Sequence, residues 1–313
     1  MQLTNNTTPF IEQDVYSDFI LMNLHDGLLG TEFYRDVADF GDGNTLNIPT
    51  VGSVSIQETA ENEALDYSPI DTGRVQLTIT EYIGDAWYIT DDLREDGYAV
   101  EALTAARSSE STRAIQEYFE SKFLSVCNEA QDQTGPNVIN EFAHRIASTA
   151  TNNTFDLEQL VQMRLAFDKA NVPEQGRVFI ADPVVEATLN NLVTITTDVT
   201  PFAKDILNNG MSSGMRFTQS LYGFDIIISN RLDKGNFTDG TTSVTGAVAN
   251  VAMCVLDDQC KPIMAAWRRQ PRVEGERNKD LRRDEYVVSA RWGIGAQRVD
   301  TLGIIITSAT AIK

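Results

Sequence analysis

The sequence predicts an α+β fold from which a long β-hairpin arm projects, and three observations lead to this prediction. Apolar and polar residues alternate in residues 44–57 and 74–82, which is typical of β-strands. Residues 98–131 carry apolar side chains at a spacing of three to four with no internal proline, which predicts one long helix. The second half of the chain contains short apolar runs such as residues 247–256, which are typical of buried strands.

The segment between the two alternating runs is strongly acidic. From Asp36 to Gly73 the sequence has eight acidic residues and no lysine or arginine. Alternating strands need an apolar surface on one face, yet the tip of this hairpin has too few apolar residues to form a core of its own. We therefore predict an arm whose second surface lies on another molecule, as expected for a subunit that contacts its neighbours.

The other helices and loops follow from periodicity and from turn-forming residues. The long helix has about 30 residues, which gives a length of about 45 Å and predicts an elongated subunit. Further helices are predicted at residues 14–28, at 157–170, and from 183 to 193. Residues 141–146 also have a helical pattern, the Gly, Thr and Ser residues of 235–246 predict a loop, and the strand of residues 84–90 is predicted to run into a turn at Asp91 and Asp92.

Composition places the chain among ordinary globular proteins. It has 313 residues, of which 42% are hydrophobic and 22% charged, enough for one large domain or two medium ones. The odd set of Cys127, Cys254 and Cys260 implies no disulfide framework and favours a reducing compartment. We expect no secretion signal in the polar N-terminus and no membrane-spanning segment.

The formal charge of −20 argues against nucleic-acid binding by the overall field of the protein. The charge is uneven, because Lys261 to Arg291 holds nine basic and five acidic residues. This basic segment could be a solvated loop, a nucleic-acid patch or a surface for a neighbouring subunit. No aromatic residue lies between Arg272 and Arg283, which disfavours the nucleic-acid interpretation.

Motifs for catalysis and cofactor binding are weak. The sequence has neither G-x-S-x-G nor H-E-x-x-H, and we interpret His25 and His144 as surface or helix-end residues. Gly293 and Gly295 begin a dinucleotide-type pattern, but Arg298 stands where its third glycine should be. We therefore predict no catalytic residue and no cofactor.

Two clusters contain residue types that bind metals. Residues 254–260 hold two aspartates and two cysteines, but structural zinc takes four ligands that are mostly Cys or His, so a turn between strands is favoured. Glu58, Glu61 and Glu63 lack the glycine and the closing bidentate residue of a calcium loop. We interpret them as a solvated or partner-facing charged surface and predict no metal site.

Four segments, in this order, resemble the major capsid protein of tailed double-stranded DNA phages, which has the Hong Kong 97-type fold. Residues 43–93 are similar to the extended hairpin of that family, the E-loop, and the strand after it. The long helix that follows resembles the spine helix of the family. Residues 157–183 resemble the opening of the axial domain, while 221–232 and 285–307 resemble a later axial strand and the closing strands of the peripheral domain.

The resemblance implies a division into an N-terminal arm (1–35), an E-loop (36–83), a peripheral domain (84–150 and 261–313) and an axial domain (151–260). It implies a coat protein that assembles as hexamers and pentamers into an icosahedral shell and encloses double-stranded DNA without sequence-specific binding. The expected location is the virion, after assembly in the bacterial cytoplasm. Expected partners are further copies of the chain, a portal, a separate scaffolding protein and a possible decoration protein, with no membrane.

Opposite charges suggest which surfaces of neighbouring subunits meet. Because the Debye length is about 8 Å at physiological salt, local pairing matters more than the repulsion between whole subunits. One exposed ion pair contributes only about 0–1 kcal/mol, so several would act together. The hypothesis pairs Glu58, Glu61, Glu63 and Asp66 of one subunit with Arg268, Arg269, Arg272, Arg282 and Arg283 of its neighbour.

Two alternatives stay open. The nearest is the shell protein of an encapsulin-like bacterial nanocompartment, which resembles the same fold. Capture of cargo there needs a hydrophobic groove near the N-terminus, and the polar residues 1–8 offer little for one. An oligomeric enzyme with activity between subunits is less favoured.

Overall fold

The computed structural model describes residues 27–37, 43–52, 56–58, 72–97, 100–195 and 220–312. Four α-helices and fifteen strands lie in these residues. The helices are α1 (Asp91–Asp96), α2 (Val100–Glu129), α3 (Leu157–Lys169) and α4 (Pro183–Ile195). The strands are β1 (Arg35–Asp36), β2 (Thr45–Val51), β3 (Thr72–Thr78), β4 (Glu81–Thr90), β5 (Val138–Ile139), β6 (Phe142–Ala143), β7 (Arg145–Ala147), β8 (Arg177–Ala181), β9 (Ser220–Leu221), β10 (Phe224–Ile228), β11 (Lys234–Thr238), β12 (Ser243–Cys254), β13 (Ile263–Asn278), β14 (Arg283–Ala296) and β15 (Leu302–Ser308).

The strands form two large sheets and two separate hairpins. One sheet has four strands in the order β1-β13-β14-β4. The other has seven strands, with the order β7-β15-β12-β8-β10-β9 and β11 paired to β12. The pairs β2–β3 and β5–β6 each form a two-stranded sheet of their own. The α+β class is therefore as the sequence predicts, with mixed sheets and helices packed on them.

The long helix α2 packs against both large sheets. Its buried stripe includes Ile115, Phe119 and Phe123, at a spacing of four residues, which places them on one face. Phe119 contacts Trp267 of β13 at 4.5 Å between ring centroids, and Trp267 contacts Trp292 of β14 at 5.0 Å. The same apolar cluster includes strands β8, β12 and β15 of the seven-stranded sheet. The predicted helix of residues 98–131 is confirmed, and its apolar stripe connects the two sheets.

Helix α3 covers the other face of the seven-stranded sheet. It begins at a capping box, in which the Asp156 side chain accepts the Gln159 backbone amide and the Gln159 side chain accepts the Asp156 backbone amide. Its buried face, with Met163 and Phe167, forms a second apolar cluster with residues of β8, β10 and β15. The helix ends at Lys169, and Asn171 then has a left-handed φ of 58°, a conformation that asparagine tolerates better than most residues.

Three local predictions from the sequence are wrong. Residues 235–246 lie in the hairpin β11–β12, because the Val, Thr and Phe residues of this segment favour strands and the two strands pair with each other. Residues 141–146 contain the two-residue strand β6, which pairs with its neighbour β5, and most of β7, which pairs with the distant β15. Strands this short leave no periodic signal in the sequence. The predicted turn at Asp91 is the start of helix α1, which Thr90 caps by accepting the Leu93 amide at 3.4 Å. Residues 14–26 of the predicted helix 14–28, with His25, lie outside the described residues, and residues 27 and 28 are not helical.

No helix within the described ranges is both long and apolar enough to cross a membrane.

His144 is a buried residue, in contrast to the surface position predicted for it. Its Nδ1 lies 3.2 Å from the Phe142 carbonyl oxygen, and its ring stacks on Phe167 at 5.8 Å. Burial lowers the pKa of His144 below its ordinary value. The unfolded chain therefore binds the proton more tightly than the folded one, so this contribution to stability is complete above about pH 6.5 and is lost as the pH falls.

We expect the melting temperature to fall between pH 7.5 and pH 5, before most carboxylates are protonated. A His144→Gln variant, which keeps a side-chain donor but no titrating group, should show a smaller fall over the same range. The measurement is thermal unfolding by circular dichroism at a series of pH values. Equal falls for the variant and the natural chain would show that His144 does not cause the effect.

Candidate subunit-contact surfaces

The base of the arm rests on its own subunit. Strands β2 and β3 pair antiparallel from Thr45 opposite Thr78 to Val51 opposite Thr72. At the base, Leu77 is fully buried in a small apolar cluster that includes Met264 and the start of β13. Partly buried side chains of β2 and β3 pack on the same cluster. The arm is therefore attached to the four-stranded sheet through the buried part of β13.

Farther from the base the arm has apolar side chains that its own subunit does not cover. Val51 is 76% exposed and Ile56 is 95% exposed. Glu58, the first acidic residue of the predicted contact, is also exposed. Burying a valine or isoleucine side chain stabilises by about 1.5–3 kcal/mol, so a partner surface here would have a substantial effect. The other acidic residues of the hypothesis, Glu61, Glu63 and Asp66, lie outside the described residues.

The basic segment is a long β-hairpin, not the solvated loop that the sequence allowed. Strands β13 and β14 have 16 and 14 residues and pair antiparallel. β13 is buried from Ile263 to Ala266 and mostly exposed from Arg268 onward. The pairing is irregular between Trp267 and Arg272, as in a β-bulge, and bulges redirect side chains and increase twist. The hairpin thus has a buried proximal part and an exposed basic distal part.

The predicted arginines differ in how far their own subunit holds them. Arg283 is the most constrained, since it pairs with Glu285 at 2.6 Å and its guanidinium lies 4.5 Å from the centroid of the Tyr88 ring. Arg269 donates to the Ser289 hydroxyl at 3.1 Å. The remaining three are exposed: Arg268 and Arg272 on β13, and Arg282 in the turn between the strands.

Arg272 and Arg282 are well placed for a contact with another molecule. The Arg272 side chain is 73% exposed, and its pair with Glu274 is long, at 3.4 Å, with the Glu274 side chain 53% exposed. Exposed pairs of this kind contribute little and exchange partners at low cost. Arg282 has a left-handed φ of 50°, and the turn at this residue sets the direction of this part of the hairpin. The backbone carbonyl of Arg282 accepts the Asp91 amide at 3.2 Å.

A charged network that sequence reasoning missed fixes the distal hairpin to helix α1. Both terminal nitrogens of Arg277 donate to Asp91, each at 2.8 Å, and Arg277 also lies 3.1 Å from Asp284. Arg94 of α1 reaches the other oxygen of Asp284 at 2.6 Å. Hydrogen bonds from Arg277 hold the pKa of Asp91 below its usual range. The basic surface is therefore oriented by ion pairs within the subunit.

A second contact that sequence reasoning missed holds the first described residues against helix α2. The buried Glu120 carboxylate accepts the Leu29 amide at 3.2 Å and the Ser229 hydroxyl at 3.1 Å. Arg231 lies 3.5 Å from the same carboxylate and donates to the Gly27 carbonyl at 3.3 Å. The sequence signal for this contact is a glutamate within the apolar stripe of a helix, because a buried carboxylate needs ion-pair and hydrogen-bond partners.

The weak motifs have structural explanations. The backbone of Cys260 donates to the Asp257 carbonyl at 2.9 Å, which confirms the turn predicted for residues 254–260. The pair Gly293 and Gly295 lies in the middle of β14, not in a loop before a helix. Gly293 has no room for a side chain, because the Thr78 backbone at the arm base occupies that space. Within the described ranges, no group of three or more His, Cys, Asp or Glu residues could hold a metal.

Comparison with known proteins identifies the family. The sequence model of the family described as phage capsid protein matches residues 73–307. That range is well over half of the chain, so the chain belongs to the family of phage capsid proteins. Among curated proteins, the comparison gave no match.

Solved structures show the same fold. The capsid of cyanophage P-SCSP1u is similar with a TM-score of 0.70 and 16% identity, over 96% of this chain and 93% of that chain. The capsid of cyanophage Pam1 has a TM-score of 0.69 and 12% identity, over 99% and 98% of the two chains. A structure from Mycobacterium phage Che8 has a TM-score of 0.64 and 16% identity, over 94% and 96%. The Hong Kong 97-type fold is thus confirmed.

Family and fold together define a structural protein of the virion. The chain is a major capsid protein that forms the shell, as the resemblance of its sequence implied. The alternative of a nanocompartment shell protein is not favoured, because the family and the similar structures are phage capsids.

Proposed function

We propose that many copies of this chain close into hexamers and pentamers of an icosahedral shell around double-stranded DNA. The observation that supports this most is the arm, which carries Val51 and Ile56 largely exposed while its base is buried. Exposing such apolar side chains to water is unfavourable, and burying them against a neighbouring subunit lowers the free energy. Since the arm and the basic hairpin are different patches, the contact is heterologous and can repeat around a ring.

In this proposal the acidic arm of one subunit lies on the distal β13–β14 hairpin of the next. Glu58 is exposed on the arm, and Arg272 and Arg282 are exposed on the hairpin. Glu61, Glu63 and Asp66 extend the acidic surface, and Arg268, Arg269 and Arg283 extend the basic one. Individually weak ion pairs, added over several neighbours, give stable shells while letting misplaced subunits leave during assembly.

The shell encloses DNA without binding it tightly. A net charge of −20 opposes strong attraction to phosphates, which would hinder entry and release of DNA. The role is mechanical, with no catalysis. A portal and a separate scaffolding protein complete the particle, with a decoration protein as an optional partner, and the particle assembles in the host cytoplasm.

The chain is divided into an N-terminal arm (1–35), an E-loop (36–83), a peripheral domain and an axial domain (151–260). In support, the four-stranded sheet with α2 and the seven-stranded sheet with α3 have different strands. A division by sheets would move β7 and β15 from the peripheral to the axial domain, because they pair within the seven-stranded sheet.

Electron microscopy of the purified chain tests the proposed function. We expect rings and closed particles above a threshold concentration, with co-expression of a scaffolding protein improving closure. Binding of the unassembled subunit to a DNA duplex should be weak at 50 mM and at 200 mM salt. A chain that sediments as a monomer at every concentration, with or without scaffold, would contradict the shell, and tight salt-sensitive DNA binding would contradict its weak interaction with DNA.

A further inference from the structure

Strand β4 leaves one edge of the four-stranded sheet open. It is the last strand in the order β1-β13-β14-β4, and no other strand within the described residues pairs with its outer side. It has ten residues, from Glu81 to Thr90, and contains neither proline nor lysine. Proteins usually protect long edges with such residues, because an unpaired row of N–H and C=O groups can pair with another chain.

The register shows which backbone groups of β4 point outward. The Asp91 amide donates to the Arg282 carbonyl, and these two residues continue the antiparallel register of β4 and β14. In an antiparallel pair, hydrogen-bonded positions alternate with positions whose backbone groups point away from the partner strand. Counting back from Asp91, the outward-pointing residues of β4 are Tyr82, Gly84, Ala86, Tyr88 and Thr90.

Apolar side chains lie on both faces of the sheet beside this edge. On the side of helix α2, a groove of about 290 Å³ is lined by Trp87, Ile89 and Leu103, among others. Tyr82 and Tyr88 alternate with Trp87, so they lie on the opposite face, where both are more than half exposed. When a strand is added to a sheet edge, main-chain hydrogen bonds supply affinity and neighbouring apolar pockets supply specificity.

We propose that β4 accepts the arm of a second copy of this chain as a fifth strand of the sheet. Val51 and Ile56, the exposed apolar residues of the arm, are five positions apart, so in one extended strand they point to opposite faces. A strand added at the edge places one of them on the groove side and the other on the tyrosine side. An arm lying flat on either face would leave one of them in water.

The direction of the added strand rests on the proposed function, in which the acidic tip of the arm meets the arginines of the distal hairpin. Thr90, at the end of β4, stands opposite Arg283, and Arg282 lies in the turn beside it. From Ile56 the arm continues through Glu58 toward its acidic tip. The arm therefore runs parallel to β4, so that its tip passes Thr90 and reaches the arginines.

Hydrogen exchange measured by mass spectrometry tests the strand addition on unassembled full-length subunits. The probe is a synthetic peptide of residues 50–58 at millimolar concentration. We expect the outward-pointing amides of β4 to exchange roughly tenfold more slowly in the presence of the peptide. A control peptide that carries Val51→Gln and Ile56→Gln should give no protection, because it has lost both apolar side chains.

A proline at position 86 tests the same edge in the assembling chain. Ala86→Pro removes an N–H that points away from β14, so the melting temperature of the subunit should be nearly unchanged. The variant should not bind the peptide, and its threshold concentration for assembly should rise roughly tenfold or more. Ala86→Thr, which keeps the N–H, is the matched control and should behave like the natural chain.

Three outcomes would overturn the proposal. The first is an unchanged exchange rate of β4 in the presence of the peptide. The second is protection of β4 in concentrated subunits without peptide, which would indicate that two β4 strands pair with each other. The third is an Ala86→Pro variant that behaves like Ala86→Thr.

The peptide measurement needs no shell, so the two proposals can fail separately. Shells of the natural chain together with an unprotected β4 would refute the strand addition and leave the proposed function standing. Protection of β4 by the peptide in a chain that forms no shells would do the reverse.

Discussion

Reversing the charge of Arg272 and Arg282 together, as Arg272→Glu and Arg282→Glu, should raise the concentration needed for assembly at least roughly tenfold. Each change replaces attraction to the acidic arm by repulsion, and about 1.4 kcal/mol in total is enough for a factor of ten. Thermal unfolding of the unassembled subunit should be nearly unchanged, because the Arg272 side chain is 73% exposed and Arg282 is also at the surface. Light scattering measures the threshold, and circular dichroism measures unfolding.

A control must have the same change in net charge elsewhere. Arg164→Glu with Lys169→Glu places the reversals on α3, where Arg164 makes a half-exposed pair with Asp168 at 3.8 Å and the Lys169 ammonium lies 5.7 Å from the Phe142 ring centroid. We expect this control to assemble nearly as well as the natural chain. Glu58→Arg, added to Arg272→Glu and Arg282→Glu, should restore part of the assembly, since it returns an opposite charge to the arm. Equal losses of assembly and of subunit stability would instead place the role of the arginines inside one subunit.

Replacing the two exposed apolar residues of the arm, as Val51→Gln with Ile56→Gln, should also suppress assembly and spare the subunit. At 76% and 95% exposure, these side chains gain little from their own subunit. Against a neighbour, each would contribute about 1.5–3 kcal/mol, so losing both should raise the assembly threshold by roughly a hundredfold or more. Sedimentation velocity at several concentrations separates subunits, rings and shells.

The matched control changes two apolar residues of similar type that are also at the surface. Val161→Gln with Leu165→Gln lies on α3, where the side chains are 43% and 44% exposed. This variant should assemble at close to the natural threshold. Should the arm variant assemble normally, or should its subunit unfold at a clearly lower temperature, the arm would be packed on its own molecule and the proposed contact would be wrong.

The elements with strong local signals could be predicted from the sequence. The spacing of Ile115, Phe119 and Phe123 shows one helix face without knowledge of its partners. The alternation around Leu46 and Ile48 likewise shows a strand. These signals depend on neighbours in sequence, which is why they agree with the structure.

The other features could not be predicted, because they depend on pairing between residues that are distant in sequence. Nothing in the sequence pairs Arg277 with Asp91, because the two residues meet only when β13, β14 and β4 have adopted their register. His144 has a helical sequence context but is buried through β7 and its distant partner β15. The contact between arm and basic hairpin stays a prediction, since it joins two molecules.

Strand β13 connects both proposed contact surfaces through one continuous backbone. Its first residues, including Met264 and Ala266, pack under the arm, and Arg268 to Arg272 follow a few residues later. In a ring of subunits, a pull on one arm would pass along this strand to the arm of the next molecule. Within each subunit, tension would then run along the backbone of β13 and its hydrogen-bonded partner strand, and between subunits it would pass through the proposed ion pairs and apolar contacts, which suits a shell under internal pressure.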